Sequence, residues 1–423
     1  MASAAPSRMQ QLASIIAQHS AQLEAHVQTG PSLSDDHPSA PFARLPPELD
    51  HSRRTLMEAA ADLRELLMQP LELVMHHHEH PFWFYEILWR FKIPARVPLD
   101  GSSVGYAELA ATISGLDEAT LKSVLRYAIA HHVFAEKTPG QVSHTPASRL
   151  LAVDENASAL TAVMHDEVIK PALYSADALL QASNGSAKTA FMLAENTSAP
   201  DFWTYLAQHP ERLDRFVRVM AAGTDYECDI IANGFAWPNY RTVVECGGSR
   251  GEFSAQLAQR FPHLAITVQD LPHVVGDRCK PESCLRNVRL MAHDFFQPQP
   301  VRDADVYLFR HCFHDWNDEA CVRILRALAP AMKEGARLLI VDAILPEPGE
   351  VPLHYERRIR SIDNNMRHVL GSKERSIEEW QGLFTTADGR FDFIKAVQQP
   401  LGTQCGLIEV SWVKEPAKNL TSD

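Results

Sequence analysis

The chain has 423 residues, 45% of them hydrophobic and 22% charged, a globular composition long enough for two packed cores. Its formal net charge of −13 disfavours nucleic acid and acidic lipid as partners and makes small molecules the default. Seven cysteines form no CxxC pair and no compact framework, and no stretch approaches the ~18 apolar residues of a membrane span. The N-terminus has no apolar run of signal-peptide length, so a soluble, cytoplasmic protein with reduced thiols is expected.

In chain order, Leu12, Ile15, Ile16, Leu23 and Val27 fall at helical spacing, and a stretch rich in Pro, Ser and Asp follows. Residues 1–50 therefore read as a helical arm and linker. A second helix resumes from about Arg53 to Met68 and is stopped by Pro70. The run "MHHHEHPFWFYEIL", residues 75–88, offers His76 and His80 at i and i+4, but Pro81 and the lack of a further ligand argue against a metal. No metal site is expected. Residues 106–150 read as helix, turn, amphipathic helix and a hairpin around Pro139-Gly140, a winged-helix pattern. Its basic residues Lys122, Arg126, Lys137 and Arg149 are balanced by Glu108, Asp117, Glu118 and Glu136, so no nucleic-acid face results. The region from 51 to 160 is expected to serve structure or dimerisation. From 161 to 239 the pattern is helical, and Phe202, Trp203, Tyr205, Phe216 and Met220 are either core or pocket lining.

After residue 240 short β-branched runs alternate with helical stretches, ending in two strands, "FDFIKAVQ" and "GLIEVSWV", with no helix between them. This predicts an α/β fold with a doubly wound, mostly parallel, Rossmann-like sheet, the last two strands pairing as a hairpin. The ligand is expected beyond the carboxyl ends of the strands. The first turn, "VVECGGSRGEFS", fits GxGxxG in no register, which removes support for nicotinamide and flavin cofactors. Glu245 before Gly247 and Gly248 would repel a pyrophosphate and tolerate a cation, which suits S-adenosylmethionine. Asp270 closes the second strand, nineteen residues beyond Gly251, where it can accept from ribose hydroxyls, and Asp294-Phe295 closes the third, where adenine would lie.

The stretch from "VVECGGSRGEFS" through "TVQDLP", "AHDFF", "LFRHCFHDWND", "LLIVDAILPE" and "GSKERS" resembles the S-adenosylmethionine-dependent O-methyltransferases of fungal and plant secondary metabolism, of caffeate/flavonoid type. The resemblance is strong over 240–385 and looser over 50–240. It implies a class I methyltransferase domain over 240–423 behind an N-terminal winged-helix dimerisation domain, and a homodimer acting on a small aromatic substrate. It also implies Gly247 and Gly248 at the methionine portion of the cofactor, Asp270 at the ribose, Asp294 and Phe295 at the adenine, and Arg310 and Trp316 completing the pocket. Ser249 and Cys246 stand where the family usually has glycine and an aliphatic residue.

His314 follows a strand and precedes Asn317, a candidate helix cap, which places it at the cofactor edge of the sheet. A phenol with a pKa near ~10 needs a base, and histidine suits that task when a carboxylate orients its other nitrogen. The resemblance makes His314 the general base, flanked by Asp342 and Glu374; the alternative is a buried structural histidine. His311 is expected to be structural, without carboxylate partners. Asn364 and Asn365 either contact a polar acceptor or face solvent. The expected activity is methyl transfer to a hydroxyl, phenolic by expectation, of a small aromatic metabolite; the competing reading is a non-methylating cyclase on the same scaffold.

Overall fold

The computed structural model describes residues 6–26, 46–76, 82–184, 188–221, 224–276, 286–398 and 403–415. The chain packs as two compact units. One comprises residues 1–170, 211–219 and 352–354; the other comprises 171–210, 220–351 and 355–423. The helical stretch 161–239 is thus divided between the two.

In the first unit, helix Arg8–His26 lies against helix Pro47–Leu67. The second helix begins six residues earlier than the periodicity predicts. Pro47 sits in its first turn, where proline's missing N–H costs nothing, and Glu48 and Asp50 complement the helix dipole. It ends at Leu67, and Pro70 opens a further helix, Pro70–His76, rather than leading into a loop. The metal reading of His76 and His80 rests partly on residue 80, which lies outside the described residues. Strands β1 (Val104–Gly105), β2 (Phe134–Thr138) and β3 (Gln141–His144) form a small sheet in the order β1-β3-β2, with Pro139-Gly140 at the β2–β3 turn. Helices Tyr106–Ala111 and Glu118–Ala130 bury Leu109, Leu121, Leu125 and Ala128 in one core with Phe84, Phe134 and Val142. The helix, helix and hairpin expected over 106–150 follow one another in that order.

The second unit is built on a seven-stranded sheet: β4 (Thr242–Cys246), β5 (Ala265–Asp270), β6 (Val288–Ala292), β7 (Val306–Arg310), β8 (Arg337–Asp342), β9 (Phe391–Val397) and β10 (Gly406–Trp412). Their order is β6-β5-β4-β7-β8-β10-β9. The first five pair in parallel, and β10 inserts antiparallel between β8 and β9, so the last two strands form the predicted pair. The central strands are buried on both faces. Tyr307, Phe309, Leu338 and Ile340 pack into one core, while Val306, Leu308, Leu339 and Val341 pack into the other, as parallel sheets covered on both sides require. All five parallel strands point their carboxyl ends to one edge. Strand order reverses at the neighbouring pair β4 and β7, and ligands bind beyond such a reversal.

Candidate active site

The β4 turn is tightly packed from below. Gly247 has φ +75°, and a Cβ there would stand 2.5 Å from Cys312 Sγ; a Cβ on Gly248 would stand 2.6 Å from Val268 and 2.8 Å from the Glu245 carboxyl. Only glycine fits either place, so the turn offers bare backbone to a ligand. Ser249 also adopts a left-handed φ of 53°, and its N–H donates to Asp270 Oδ2 at 2.8 Å. Asp270 Oδ1 accepts the N–H of Leu271 at 2.7 Å. A carboxylate has about four acceptor positions, so Asp270 keeps capacity for a diol, and burial raises its pKa despite these backbone donors.

Glu245 is buried, with the Ser254 hydroxyl donating to one oxygen. Burial pushes its pKa up to about 7 against the opposing pull of Arg310 and Ser254. The Arg310 guanidinium does not stand free at the cofactor edge. It pairs with Glu227 at 3.0 Å, lies 3.9 Å from Glu245 and covers the Phe253 ring at 5.2 Å. Glu245 Oε1, Arg310 Nε and Trp316 Nε1 are buried without a hydrogen-bond partner. Such orphans suit a zwitterionic ligand, whose ammonium can meet the acceptor and whose carboxylate can meet a donor. Asp294 caps its own turn by accepting the N–H of Phe296 at 2.9 Å. Beside it, Trp316 stands edge-on to Phe295 and Phe296, with centroids 6.1 and 4.7 Å away, giving an aromatic wall. The glycine turn, the carboxylates of Glu245 and Asp270 and the aromatic wall fit S-adenosylmethionine.

His314 lies in a short 3₁₀ turn, Phe313–Asp315, between β7 and the helix Asp318–Leu328, which Asn317 caps by accepting from Ala320 N–H. Its Nδ1 meets Glu374 Oε1 at 2.8 Å, with Asp342 Oδ1 at 3.8 Å. Asp342 is thus within electrostatic reach but beyond a direct hydrogen bond, in keeping with a side chain one methylene short of glutamate. Its other oxygen accepts the N–H of Phe313 at 3.2 Å. On the opposite side of the ring, Asp315 Oδ1 lies 3.6 Å from Nε2. Burial alone would lower the histidine's pKa; the charges of Glu374 and Asp342, the Glu374 hydrogen bond and Asp315 outweigh it and raise the pKa to about 10. The same burial lifts Asp342 to about 6 and Asp315 to about 7, although the imidazole opposes both.

Several residues that hold this site were not singled out from the sequence. Arg375, fully buried, donates to the carbonyls of Phe313 at 3.1 Å and Trp316 at 2.7 Å and pairs with Asp318 at 2.9 Å. Ser372 donates to the His314 carbonyl. Asp363 accepts the Glu374 N–H at 3.0 Å. The expectation for His311 is corrected. Its Nε2 donates to Glu227 Oε1 at 3.1 Å, Nδ1 lies 4.0 Å from Asp342 Oδ1, and its ring stacks on His314 at 5.8 Å. The partner acid is 84 residues away in sequence, which is why the local pattern did not reveal it. Asn364 is exposed and donates its amide to the Arg360 carbonyl at 2.7 Å, which favours the solvent-facing alternative. Phe202 and Tyr205 pack on Phe191 as core, and Met220 is exposed.

Residues 175–389 match the O-methyltransferase domain family. The chain belongs to the O-methyltransferases. The methyltransferase is 35% identical to the O-methyltransferase gsfB of Penicillium aethiopicum, over 96% of this chain and 98% of that one. It is 37% identical to the grayanic acid biosynthesis cluster O-methyltransferase of Cladonia grayi, over 88% and 80% respectively. Among solved structures it resembles OxaC, with a TM-score of 0.76 at 22% identity over 96% of this chain and 98% of the other. A pericyclic reaction enzyme also shares the fold, with a TM-score of 0.71 at 21% identity over 95% and 100%. Among the described residues, no helix of the methyltransferase is long and apolar enough to cross a membrane.

Proposed function

We propose that the enzyme methylates a phenolic hydroxyl of a small aromatic secondary metabolite, with His314 as general base. S-adenosylmethionine is the cofactor and supplies, when bound, an electrophilic methyl on a sulfonium. We assign Gly247 and Gly248 to its methionine portion, Asp270 to the ribose, Asp294 and Phe295 to the adenine, and Arg310 and Trp316 to the pocket wall. The glycine turn presents backbone to the methionine portion, and the aromatic wall offers the adenine an apolar face.

The observation that carries the base assignment is the orientation of His314. Its Nδ1 is committed to Glu374, which leaves Nε2 as the nitrogen that accepts the acceptor's proton. The carboxylates around His314 raise its pKa against burial, so the unprotonated imidazole holds a phenol's proton more firmly than a free histidine would. Asp342 and Asp315 stabilise the imidazolium that results. The competing cyclase reading has the fold in its favour, but proton removal by an oriented histidine is the step that O-methylation requires. Incubating labelled cofactor with a panel of substituted phenols, wild type beside His314→Ala, tests the assignment. A product one methyl heavier and a loss of about 10²-fold or more in the variant support it. A product of unchanged mass, or a variant within about 10-fold of wild type, overturns it.

We further propose that the enzyme is a cytoplasmic homodimer. The first unit exposes Leu66, Leu67, Leu71, Val74 and Met75 along consecutive helical segments, an apolar surface that a second copy would cover. The five described cysteines are buried thiols, as a reducing compartment favours. Light scattering on the purified protein should give twice the mass of the 47.3 kDa chain; a monomer at micromolar concentration would end the dimer reading.

A further inference from the structure

We propose that His311, braced by Glu227, is a positioning residue that acts on the base through the carboxylate of Asp342, which the two histidines share. The inference rests on His314 as the base and extends the set of residues controlling it.

The geometry is a chain of side chains along the sheet edge. Arg310 at the end of β7 pairs with Glu227, on helix Thr224–Gly234, at 3.0 Å. The other oxygen of Glu227 receives His311 Nε2 at 3.1 Å, turning Nδ1 toward Asp342 at 4.0 Å. Asp342 Oδ1 then lies 3.8 Å from His314 Nδ1. Both Asp342 Oδ1 and His311 Nδ1 are buried without a hydrogen-bond partner, so each faces the other across the space that His314 borders. Unpartnered buried groups are costly. His311 also holds a left-handed φ of 52°, an uncommon conformation for a non-glycine residue. Orphaned atoms and an uncommon backbone conformation at one residue mark a position constrained by its surroundings.

The groups facing this chain fix the expected direction. Glu227, Arg310, Asp342 and His314 surround His311, and Cys405, before β10, completes the neighbourhood of Glu227. Glu374 and Asp315 face His314 from the other sides. His311 favours the ionised form of Asp342, and ionised Asp342 favours the charged form of His314. Removing His311 therefore lets Asp342 hold a proton more readily, and His314 loses part of the attraction that keeps it charged. A brace that only filled space would leave this titration where it stands.

The test reads His314 directly in full-length protein labelled with [15N]histidine, without acceptor or cofactor, its signal identified by its loss in His314→Ala. Asparagine tolerates a left-handed backbone, so His311→Asn keeps the turn while removing the ring. In that variant His314 should titrate about half a pH unit or more lower than in wild type. Glu227→Gln should move it the same way by a smaller amount. Asp342→Asn should also lower it, and adding His311→Asn to Asp342→Asn should produce no further change, because both act through one carboxylate. An unchanged titration in folded His311→Asn, checked by circular dichroism and melting temperature, overturns the proposal, as does full additivity with Asp342→Asn. If His311→Asn does not fold, Glu227→Gln decides alone: an unshifted titration there overturns the proposal. An active His314→Ala enzyme would remove the base assignment itself. An inactive His314→Ala beside an unshifted His311→Asn removes only the role of His311.

Discussion

Asp363 Oδ1 accepts the backbone N–H of Glu374 at 3.0 Å, fixing the carboxylate that orients His314 from a helix eleven residues earlier in the chain. Glu374 sits on an irregular segment between helices Leu353–Leu370 and Ile377–Ala387, next to Arg375, whose single backbone bridge to Ile344 is the segment's link toward the sheet. Asp363 is itself buried, with Arg367 3.7 Å from its other oxygen. Replacing Asp363 with alanine leaves a buried N–H unpaired, at a cost of about 1–3 kcal/mol, and frees the Glu374 side chain to drift. We expect Asp363→Ala to lower kcat by about 10-fold with little change in cofactor affinity, since support around a catalytic group is commonly worth that much. Asp363→Asn keeps an acceptor oxygen and should retain most of the activity. Steady-state kinetics of both variants, with cofactor binding by calorimetry, check this.

The pH dependence follows from the crowd of acids around His314. Glu374 raises its pKa by charge and by hydrogen bond, against burial. A base must be unprotonated to act, so kcat/KM in the free enzyme should climb with pH toward about 10. Glu374→Gln removes the largest favourable charge, so the proton leaves His314 more easily and the rising limb moves to lower pH. The variant base is weaker and less well oriented, so its plateau falls by about 10- to 100-fold. A profile of kcat/KM from pH 6 to 10.5 for both enzymes checks direction and size; a limb displaced to higher pH in Glu374→Gln would contradict the role given to this carboxylate.

The sheet was legible in the sequence because its strands are short apolar, β-branched runs separated by helical periods, and burial on both faces leaves them little else to be. Asn317 was legible as a cap, and with it the location of His314 at the strand edge, because capping is a local property. Asp342 could be read as a strand-end acid, but Glu374 reached the site only through the family resemblance. The pairs His311–Glu227, Asp363–Glu374 and Gln269–Gln299 could not be read at all. Each joins side chains whose meeting depends on tertiary packing, and periodicity carries no information about which distant polar groups will meet. The start of helix Pro47–Leu67 was missed for a different reason: Pro46-Pro47 resembles the linker that precedes it, while proline is also at home in a first helical turn.

The glycine turn gives a steric prediction. A methyl on Gly248 would enter the space of Val268 Cγ1 and the Glu245 carboxyl, both deep in the unit, where neither neighbour can swing into solvent. Gly248→Ala must shift the turn, and with it the backbone that faces the cofactor. We expect its affinity for S-adenosylhomocysteine to fall by about 10-fold or more, with an accompanying loss of about 1–3 kcal/mol in stability from overpacking. Gly382, whose Cβ would meet nothing within 4 Å, provides the control: Gly382→Ala, in helix Ile377–Ala387, should bind normally and be slightly more stable. Isothermal calorimetry and urea unfolding of the two variants separate the effects.

Beneath that turn, Gln269 and Gln299 exchange two hydrogen bonds, each amide donating to the other's carbonyl at 2.8 Å. Both are buried, and Cys246 Sγ lies 3.5 Å from the Gln299 nitrogen. The pair joins β5 to the segment after Phe296, linking the ends of the elements that carry Asp270 and the aromatic wall. A reciprocal amide pair in a dry site is satisfied only while both members are present. Gln299→Leu leaves the Gln269 amide buried without its main partner, which should cost about 1–3 kcal/mol, whereas the double change Gln269→Leu/Gln299→Leu removes both polar groups and should recover much of that loss. Urea unfolding of the two singles and the double forms the cycle. A double variant as unstable as the sum of the singles would show that the amides do not act as a pair and that shape, rather than hydrogen bonding, governs this contact.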